Sequence, residues 1–524
     1  MFDTSQKKLT RLINGGFSDC LIDGLKGIEK ESLRVTPDGW ISQAPHPKSL
    51  GAALTHPYIT TDYSEALLEF ITPPFSDTKQ TLRFLSDIHR FVYDRLGTEL
   101  LWATSMPCRV GDDDTIPIAN YGTSNVGQMK SVYRRGLRNR YGSIMQTISG
   151  IHFNYSFPEK FWNSWSYIQY GSFGRDRLVS DAYFRLIRNF QRYGWLLSYL
   201  FGTSPAVCKT FLPKEVDGFD EFDNGTWYQS HATSLRMSDI GYKNKNQAAL
   251  NVTYNNINEY VRSLTRAIET PSSDYDAIGL LDDEGGYRQL NTNFLQIENE
   301  FYSFIRPKQI ANSGEKPTLA LKRRGVGYVE IRALDVGAFD VVGCNEAQLR
   351  FVETFLAFCL FEDSPPVSKF EVEQIEYNQS VVACCGRDPA LELTIGYKKR
   401  KVRDWVQIIC DSLDGFAELL DINEVQKPYC MALEQQKNIL RDSERLPSTR
   451  LMEDMSSNNE SFFDFAMRKS AEHQIYFQDG YAITKDRERE FELEVEKSLQ
   501  NQKDMERSDD VSFPDYLKRY FSQR

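Results

Sequence analysis

Several short segments of the chain alternate apolar and polar residues with a period of two, which predicts strands with one packed face and one polar face. The clearest alternation is in residues 151–157, where aromatic or aliphatic side chains alternate with His152, Asn154 and Ser156. Similar patterns occupy residues 27–35, 295–302 and 328–334, and an apolar run surrounds Glu69 up to Pro73. These segments predict a sheet with one polar face.

Apolar residues at helical spacing predict helices between and after these strands. The predicted helices cover residues 77–97, 181–201, 257–268 and 345–363, whereas residues 231–246 resemble an irregular polar lobe. From about residue 402 to the end the pattern is mostly helical and increasingly charged. The fold class predicted from these elements is α+β.

Composition and charge indicate the class of protein and exclude some classes of partner. The 524 residues are 41% hydrophobic and 26% charged, which is typical of a globular protein of two to four domains. A net charge of −11 argues against nucleic acid or an anionic membrane as the main partner. No apolar run is long enough to span a bilayer and no signal peptide is evident, so we expect a cytoplasmic protein.

The cysteines predict neither a zinc site nor a disulfide framework. All nine are scattered along the chain without a CxxC pair. We expect most of them to be reduced structural thiols. A nucleophilic role for Cys108 is the less favoured alternative, because no histidine lies near it in the sequence.

The predicted polar face carries carboxylates in two places. Glu29 and Glu31 are separated by one residue, so in a strand they point the same way, roughly 6.5 to 7 Å apart. They could bind divalent cations or lie on a solvated surface, and from this segment alone the solvated surface is favoured. Glu69 lies within an apolar run, where an unpaired charge is costly, so binding to a cation is favoured. Asp62 suits a turn or capping role equally well.

The later strands add a histidine and cations. His152 lies on the polar face of its strand, where a metal-ligand role competes with an ordinary structural one. Glu330 and Arg332 share a face, so they either form an ion pair or bind a metal and a transferring phosphoryl group. Arg306 and Lys308 offer two neighbouring cations.

A second group of cations follows residue 125 in this acidic chain. A solvated helix face is favoured for most of them over a surface for carboxylate or phosphate. The five residues are Lys130, Arg134, Arg135, Arg138 and Arg140. No glycine-rich phosphate loop is evident, which counts against a P-loop or Rossmann site.

Five motifs in chain order resemble those of glutamate–cysteine ligases of the proteobacterial type. The motifs occupy residues 27–34, 60–73, 146–152, 296–300 and 330–332. The resemblance covers roughly residues 20–340, and beyond about 365 only length and helical character are similar. Five motifs in one order are far more specific than any one alone.

The resemblance implies ATP-dependent joining of the glutamate γ-carboxylate to the cysteine amine through γ-glutamyl phosphate, the first step of glutathione synthesis. It implies ATP and Mg²⁺ as cofactors, with Mn²⁺ as an alternative. The partners would be glutamate, cysteine and ATP, with feedback inhibition by glutathione. A monomer that contacts neither nucleic acid nor membrane is expected.

The resemblance also implies a fold and an assignment of residues. The fold would be similar to glutamine synthetase, with a curved, mainly antiparallel sheet forming a funnel and helices outside. Residues 1–364 would form the catalytic domain, and residues 365–524 a mostly helical part packed on it. The metal ligands would be Glu29, Glu31, Asp62, Glu69, His152 and Glu330.

Arg332 would stabilise the transferred phosphoryl group, and Arg306 and Lys308 would bind the nucleotide. The amino-acid pockets would be lined by Tyr63, Tyr133, Arg134, Gln146, Arg236, Tyr242 and Tyr302. Tyr63 departs from the phenylalanine expected in many relatives and adds a hydroxyl near the thiol pocket.

Three alternatives remain open. A related ligase on the same fold could use a different amine, and a silent homologue could bind amino acids or metal without catalysis. The number of carboxylates in the motifs argues against the silent protein. A glycosidase with paired carboxylates is least favoured, because it would leave Arg332 unexplained.

Overall fold

The computed structural model describes residues 2–169, 175–212, 217–241, 250–441 and 445–524. Its main feature is a seven-stranded sheet in which all paired strands are antiparallel. The strands of this sheet are β1 (Leu25–Val35), β2 (Ile59–Thr61), β3 (Leu67–Ile71), β4 (Leu100–Leu101), β5 (Gly150–Ser156), β9 (Ile305–Lys308) and β10 (Tyr328–Asp335). Their order is β2-β3-β1-β5-β10-β9, and β4 pairs with the end of β1.

Two smaller sheets lie outside the main one. They consist of β6 (Ala206–Cys208), β7 (Asp220–Asp223) and β8 (Thr226–Tyr228), and of the hairpin β11 (Glu392–Ile395) and β12 (Lys398–Lys401). The helices within residues 1–364 are α1 (Asp3–Asn14), α2 (Thr78–Tyr93), α3 (Asn125–Tyr141), α4 (Glu159–Gln169), α5 (Arg175–Tyr193), α6 (Trp195–Phe201), α7 (Ile257–Glu269), α8 (Ser273–Ile278), α9 (Pro317–Arg324) and α10 (Glu346–Phe361).

The remaining helices are α11 (Lys369–Cys385), α12 (Val402–Ser412), α13 (Asp414–Leu420), α14 (Pro428–Arg441), α15 (Pro447–Asn458), α16 (Phe462–Ile475), α17 (Lys485–Ser508) and α18 (Phe513–Ser522). The prediction of an α+β fold with a mainly antiparallel sheet is confirmed. No helix within the described ranges is both long and apolar enough to cross a membrane.

One face of the main sheet forms the core with the helices. Ile28, Phe153 and Ile331 lie side by side in register on β1, β5 and β10, and all three are fully buried. Ile88 of α2 and Phe355 of α10 belong to the same apolar cluster. Because side chains alternate along a strand, burial of these residues turns their polar neighbours to the opposite face.

The prediction of a strand at residues 295–302 is wrong. The segment forms a short 3₁₀ turn at Glu298–Glu300, and pairing begins only at Ile305. The backbone N–H of Gln296 donates to a Glu300 carboxylate oxygen at 2.6 Å. Local bonds between side chains and backbone thus replace the ladder of a sheet. The predicted helix at 181–201 is two helices, α5 and α6, with Gly194 between them.

Three C-terminal helices pack on elements that precede residue 365. α16 contacts β4, α17 contacts α2 and α18 contacts α3. At the start of α3, Asn125 N–H donates to Asp509 at 2.6 Å, and Thr123 N–H donates to Glu506 at 2.9 Å. The division of the chain at residue 365 stays a prediction.

The expectation of reduced thiols holds for seven of the nine cysteines and is wrong for Cys108 and Cys208. Cys108 and Cys208 are bonded, with Cα atoms 5.2 Å apart and a sequence separation of 100. The sequence gives no sign of this disulfide. Cys208 lies on β6 of a small sheet, and only the tertiary fold brings that sheet close to residue 108. The other seven cysteines are free thiols. Cys108 therefore has no thiol for the nucleophilic role considered for it.

Candidate active site

The polar face of the main sheet gathers side chains from five strands. In register across the sheet, Glu69 of β3 lies opposite Glu31 of β1, and Glu29 of β1 lies opposite His152 of β5. Directly opposed residues in antiparallel strands have Cβ atoms about 4.5 to 5.5 Å apart. Glu330 of β10 is paired with Arg306 of β9 on its other side. The register therefore forms a continuous row of charged groups.

A cavity of about 520 Å³ lies over this row. Its wall is formed by the sheet face, by α3 and by the loops around residues 145 and 300. The lining residues are Glu29, Asp62, Tyr63, Glu69, Lys130, Tyr133, Arg134, Leu137, Tyr141, Met145, Gln146, His152, Gly241, Ile297, Asn299, Glu300, Tyr302, Arg306, Lys308, Glu330 and Arg332.

Glu29, His152 and Glu330 form the tightest group of potential metal ligands. Each offers a ligand atom that lies within 4.8 Å of those of the other two. His152 Nδ1 is 3.2 Å from Glu29 Oε2 and 3.8 Å from Glu330 Oε1. Burial alone would raise the pKa of Glu330, but Lys308 and Arg332 hold it well below its usual range. Both neighbouring cations therefore favour an ionised carboxylate there.

A second group of carboxylates surrounds Glu69. Burial, together with the charges of Glu29, Asp62 and Glu31, raises the pKa of Glu69 well above its usual range. Burial also raises the pKa of Glu31. Among the residues that the structure describes, no side chain forms an ion pair or hydrogen bond with the carboxylate of Glu69 or of Asp62. Several close carboxylates without cationic partners repel one another.

These residues fit hard divalent cations. Such cations prefer several carboxylate oxygens, and a neutral imidazole is also a common metal ligand. His152 Nε2 is buried and makes no hydrogen bond within the described part of the chain. An added positive charge would offset the repulsion around Glu69. Glu29, His152, Glu330, Glu69 and Asp62 therefore have the chemistry to bind metal.

The pKa direction of Glu69 leads to a pH-dependent prediction. Because folding raises this pKa, the metal-free folded state binds more protons than the unfolded chain above about pH 4.3, the ordinary value for glutamate. Stability should therefore fall as pH rises through that window. In the presence of a chelator, Glu69→Gln should melt at the same or a higher temperature than the parent at about pH 8. Melting curves between about pH 5 and 8 test this.

Saturating Mn²⁺ should raise the melting temperature of the parent much more than that of Glu69→Gln. A Glu69→Gln protein that melts well below the metal-free parent at every pH would contradict the prediction.

The cations at the other side of the sheet belong to β9 and β10. Lys308 Nζ is 3.1 Å from Glu330 Oε2, and Arg332 Nη1 is 3.2 Å from Glu330 Oε1. Arg332 lies in a bulge, because β10 advances from Ile331 to Leu334 while β5 advances from Phe153 to Ile151. A bulge redirects the local side chains and frees the backbone from regular pairing. Arg306 donates to the carbonyl of Asn299 at 2.9 Å.

Five residues predicted to bind amino acids line the cavity: Tyr63, Tyr133, Arg134, Gln146 and Tyr302. The hydroxyls of Tyr63 and Ser143 are 2.8 Å apart, and burial raises the pKa of the Tyr63 phenol. Arg134 Nε donates to the carbonyl of Asp62. The extra hydroxyl of Tyr63 is therefore already bonded to the protein.

Two predicted residues, Glu31 and Arg236, are buried and are not among the residues that line the cavity. Glu31 accepts the N–H of Gly150 at 2.6 Å, and its Oε1 lies 3.6 Å from Nε2 of the lining residue His152. The guanidinium of Arg236 bonds to the backbone. Its Nη2 donates to the carbonyl of Arg332 at 3.0 Å, and a Cβ on Gly150 would lie 1.9 Å from that nitrogen. Tyr242 lies outside the described residues, so its predicted role is unchanged.

Three lining residues of α3 were not predicted as site residues, namely Lys130, Leu137 and Tyr141. On α3 the lining positions are Lys130, Tyr133, Arg134, Leu137 and Tyr141, which share one helical face. That spacing is visible in the sequence and could have identified them. Glu300 also lines the cavity and is held by Arg140 at 3.0 Å.

Among the described residues that line this cavity there is no cysteine. Replacing any free cysteine by serine should therefore leave kcat within about threefold of the parent value. The Cys108→Ser and Cys208→Ser variants should keep kcat as well, but they should melt at lower temperature because they lose a crosslink that closes a long loop. Steady-state kinetics and melting curves of the nine variants test this, and loss of kcat in a well-folded variant would contradict it.

Known proteins are similar to this chain in sequence and in fold. A family profile described as "Glutamate-cysteine ligase" matches residues 9–382. A glutamate–cysteine ligase of Alcanivorax borkumensis is 44% identical over 521 residues, covering 98% of this chain and 99% of that protein. One from Pseudomonas paraeruginosa is 43% identical over 520 residues, covering 99% and 98%.

Among solved structures, a glutamate–cysteine ligase of Francisella tularensis in complex with AMP superposes with a TM-score of 0.90. It is 36% identical and the match covers 95% of this chain and 98% of that one. A bifunctional glutathione synthetase of Pasteurella multocida gives a TM-score of 0.70 at 24% identity, covering 91% of this chain and 55% of that one. At that identity the likeness shows the fold alone.

The fold and the sequence relatives define an enzyme of the ligase class. The profile match and the relatives are close enough to name the family directly. The chain belongs to the glutamate–cysteine ligase family, as the resemblance in its motifs predicted.

Proposed function

We propose that this enzyme joins the γ-carboxylate of L-glutamate to the amine of L-cysteine, with ATP converted to ADP, as the first step of glutathione synthesis. The observation that carries the proposal is the cavity itself. It has metal-ligand groups and three cations on the sheet side, and tyrosines, Leu137 and Met145 on the α3 side. One cavity can therefore hold a triphosphate beside two amino acids.

The sheet side of the cavity is proposed to carry out phosphoryl transfer, and the α3 side to hold the attacking amine. A carboxylate is a poor electrophile, so the γ-carboxylate of glutamate must first attack the γ-phosphorus of ATP to form an acyl phosphate. Arg332 is the residue proposed to contact the transferred phosphoryl group, while Arg306 and Lys308 contact the remaining phosphates. Bound Mg²⁺, held by Glu29, His152, Glu330, Glu69 and Asp62, would offset the charge of the triphosphate.

The α3 side is proposed to hold the amine. The neutral amine of cysteine attacks the acyl carbon and phosphate leaves, so the amine must lose a proton before or during attack. Tyr63, Tyr133 and Tyr302 surround this part of the cavity with partly apolar surface. Such walls exclude water, which would otherwise hydrolyse the acyl phosphate.

The test is ADP formation with ATP, Mg²⁺, glutamate and cysteine, with each component omitted in turn. We expect full activity only in the complete mixture and γ-glutamylcysteine as the product by mass spectrometry. Alanine, serine, glycine and 2-aminobutyrate replace cysteine in parallel reactions. ADP formation that does not depend on glutamate, or a higher kcat/KM for another amine than for cysteine, would overturn the proposal.

Three finer properties belong to the same proposal: a cytoplasmic location, a monomeric state and inhibition by glutathione. Glutathione contains the γ-glutamylcysteine unit, so it can occupy the amino-acid side of the cavity. We expect it to compete with glutamate. Light scattering of the purified protein tests the monomer, and inhibition kinetics test the competition.

A further inference from the structure

Asn154 lies on the polar face of β5, beside the tightest group of potential metal ligands. Its Nδ2 donates to Glu29 Oε1 at 2.8 Å. In register it lies between Gly27 of β1 and Glu330 of β10. Asn154 is not among the residues that line the cavity, so its amide meets the site through Glu29 and not through a substrate.

The orientation of this amide is fixed by its neighbour. If the amide were reversed, Oδ1 of Asn154 would face Oε1 of Glu29 across the same 2.8 Å, and two acceptors would repel each other. The amide nitrogen therefore faces Glu29. In this orientation Oδ1 is buried and accepts no hydrogen bond from any residue that the structure describes.

That buried oxygen indicates what Asn154 contributes. A buried acceptor without a donor destabilises the folded state, and an apolar residue at the same position would avoid this cost. The favourable contribution of asparagine at this position is therefore the hydrogen bond that its nitrogen donates to Glu29.

Within the described ranges, two side chains lie at hydrogen-bond distance from the carboxylate of Glu29. The second is His152, whose Nδ1 is 3.2 Å from Oε2. The same nitrogen is 3.8 Å from Glu330 Oε1, so a cation held by these three residues would take the lone pair of Nδ1. A ring nitrogen that gives its lone pair to a metal has no proton to donate. Asn154 is then the donor that remains for Glu29.

The two oxygens of Glu29 therefore have different surroundings. Oε1 is held toward Asn154, and Oε2 is left toward His152. A carboxylate held in this way offers one oxygen to a cation. Mg²⁺ requires a strict octahedral arrangement, whereas the larger Ca²⁺ accepts more oxygens in a flexible arrangement and commonly takes both oxygens of a carboxylate.

We propose that Asn154 is a positioning residue that holds Glu29 as a one-oxygen ligand and thereby favours Mg²⁺ over Ca²⁺. The assignment rests on the metal site of the proposed function and adds to it a residue that selects the ion. Without the amide, Glu29 can turn and offer both oxygens, which suits Ca²⁺ better than Mg²⁺.

The test is the Asn154→Leu variant, which keeps a side chain of similar size and removes the amide. Titration with Mn²⁺, followed by water relaxation, measures the Mn²⁺ affinity without turnover, and displacement of Mn²⁺ measures the affinities for Mg²⁺ and Ca²⁺. We expect the affinity for Mg²⁺ to fall at least about tenfold, while that for Ca²⁺ stays within about threefold of the parent value.

Asn378 of α11 provides a matched control. Its Nδ2 donates to the carbonyl of Thr394 at 2.7 Å, and its Oδ1 is also buried without a hydrogen bond from any described residue. Asn378 does not line the cavity. Asn378→Leu should therefore leave all three affinities within about twofold of the parent values, because it shares no partner with the metal-ligand group.

A second variant covers a loss of folding in Asn154→Leu. Asn154→Ala removes the amide without adding apolar bulk, and it should shift the preference between Mg²⁺ and Ca²⁺ in the same direction. Melting curves recorded with a chelator establish that each protein is folded before its affinities are compared.

The ratio of the two affinities separates this role from a structural one. An unchanged Mg²⁺ affinity in a folded variant, or equal losses of Mg²⁺ and Ca²⁺, would overturn the proposal, because the amide would then not select the ion. A parent protein that binds Mn²⁺ but does not join glutamate to cysteine would instead overturn the proposed function, since the affinities are measured without turnover.

Discussion

Replacing Arg332 by lysine is expected to lower kcat by about 10²-fold or more, with little change in metal dependence. Lysine keeps the positive charge but loses the planar fork that can donate to two oxygens at once. Arg332 lies in the bulge of β10 beside Glu330 and His152, so its guanidinium is held at a defined position over the sheet. The variant is compared with the parent in steady-state kinetics at several Mg²⁺ concentrations.

A matched control is available on α9. Arg323 is exposed and does not line the cavity, so Arg323→Lys should keep the parent kcat. Melting curves of both variants exclude loss of folding as the cause. If Arg332→Lys melts as the parent does and retains its kcat, the guanidinium does not stabilise charge that develops during phosphoryl transfer.

The second large effect is expected at Glu330. Glu330→Gln keeps the shape of the side chain and removes its charge, so affinity for a divalent cation should fall by at least about tenfold. The carboxylate lies 3.8 Å from His152 Nδ1 and belongs to the tightest group of potential ligands. Titration with Mn²⁺, followed by its paramagnetic effect on water relaxation, measures the affinity without turnover. Excess Mg²⁺ should restore part of the rate.

Glu330 also pairs with Lys308 and Arg332, so a structural role must be separated from metal binding. Glu392→Gln, on the exposed β11–β12 hairpin, is the control for loss of one carboxylate and should bind Mn²⁺ as the parent does. If Glu330→Gln melts far below the parent while its folded fraction keeps the parent affinity for Mn²⁺, the three residues form a structural ion-pair group.

The local pattern of apolar and polar residues was sufficient to predict several of the strands and side chains that form the site. The alternation in residues 151–157 and 328–334 predicted strands that the structure contains as β5 and β10, and it placed His152, Glu330 and Arg332 on the polar face. A side-chain period of two follows from strand geometry alone, so no knowledge of the neighbouring strands was needed. The helix predicted from residue 77 is present as α2, which begins at Thr78.

Other features of the structure, such as the burial of Lys30, could not be predicted from the neighbouring sequence. Lys30 lies between Glu29 and Glu31 and therefore faces the packed side of the sheet, where a charged residue is not expected. It is buried there because Ser32 and His89 lie within 2.9 Å of its amine. His89 belongs to α2. The polar contact that lowers the cost of burying the Lys30 amine therefore comes from a segment distant in sequence, which the local pattern around Lys30 cannot show.

The sequence by itself therefore determined which strands have a polar face, which residues lie on it and, through five ordered motifs, the family. The tertiary structure decided the register that places Glu69 opposite Glu31 and Glu29 opposite His152. It also decided the bond between Cys108 and Cys208, the loop at 295–302 and the position of Lys130 in the cavity wall. Periodicity depends on the geometry of one strand or helix, whereas these features depend on which distant segments become neighbours when the chain packs.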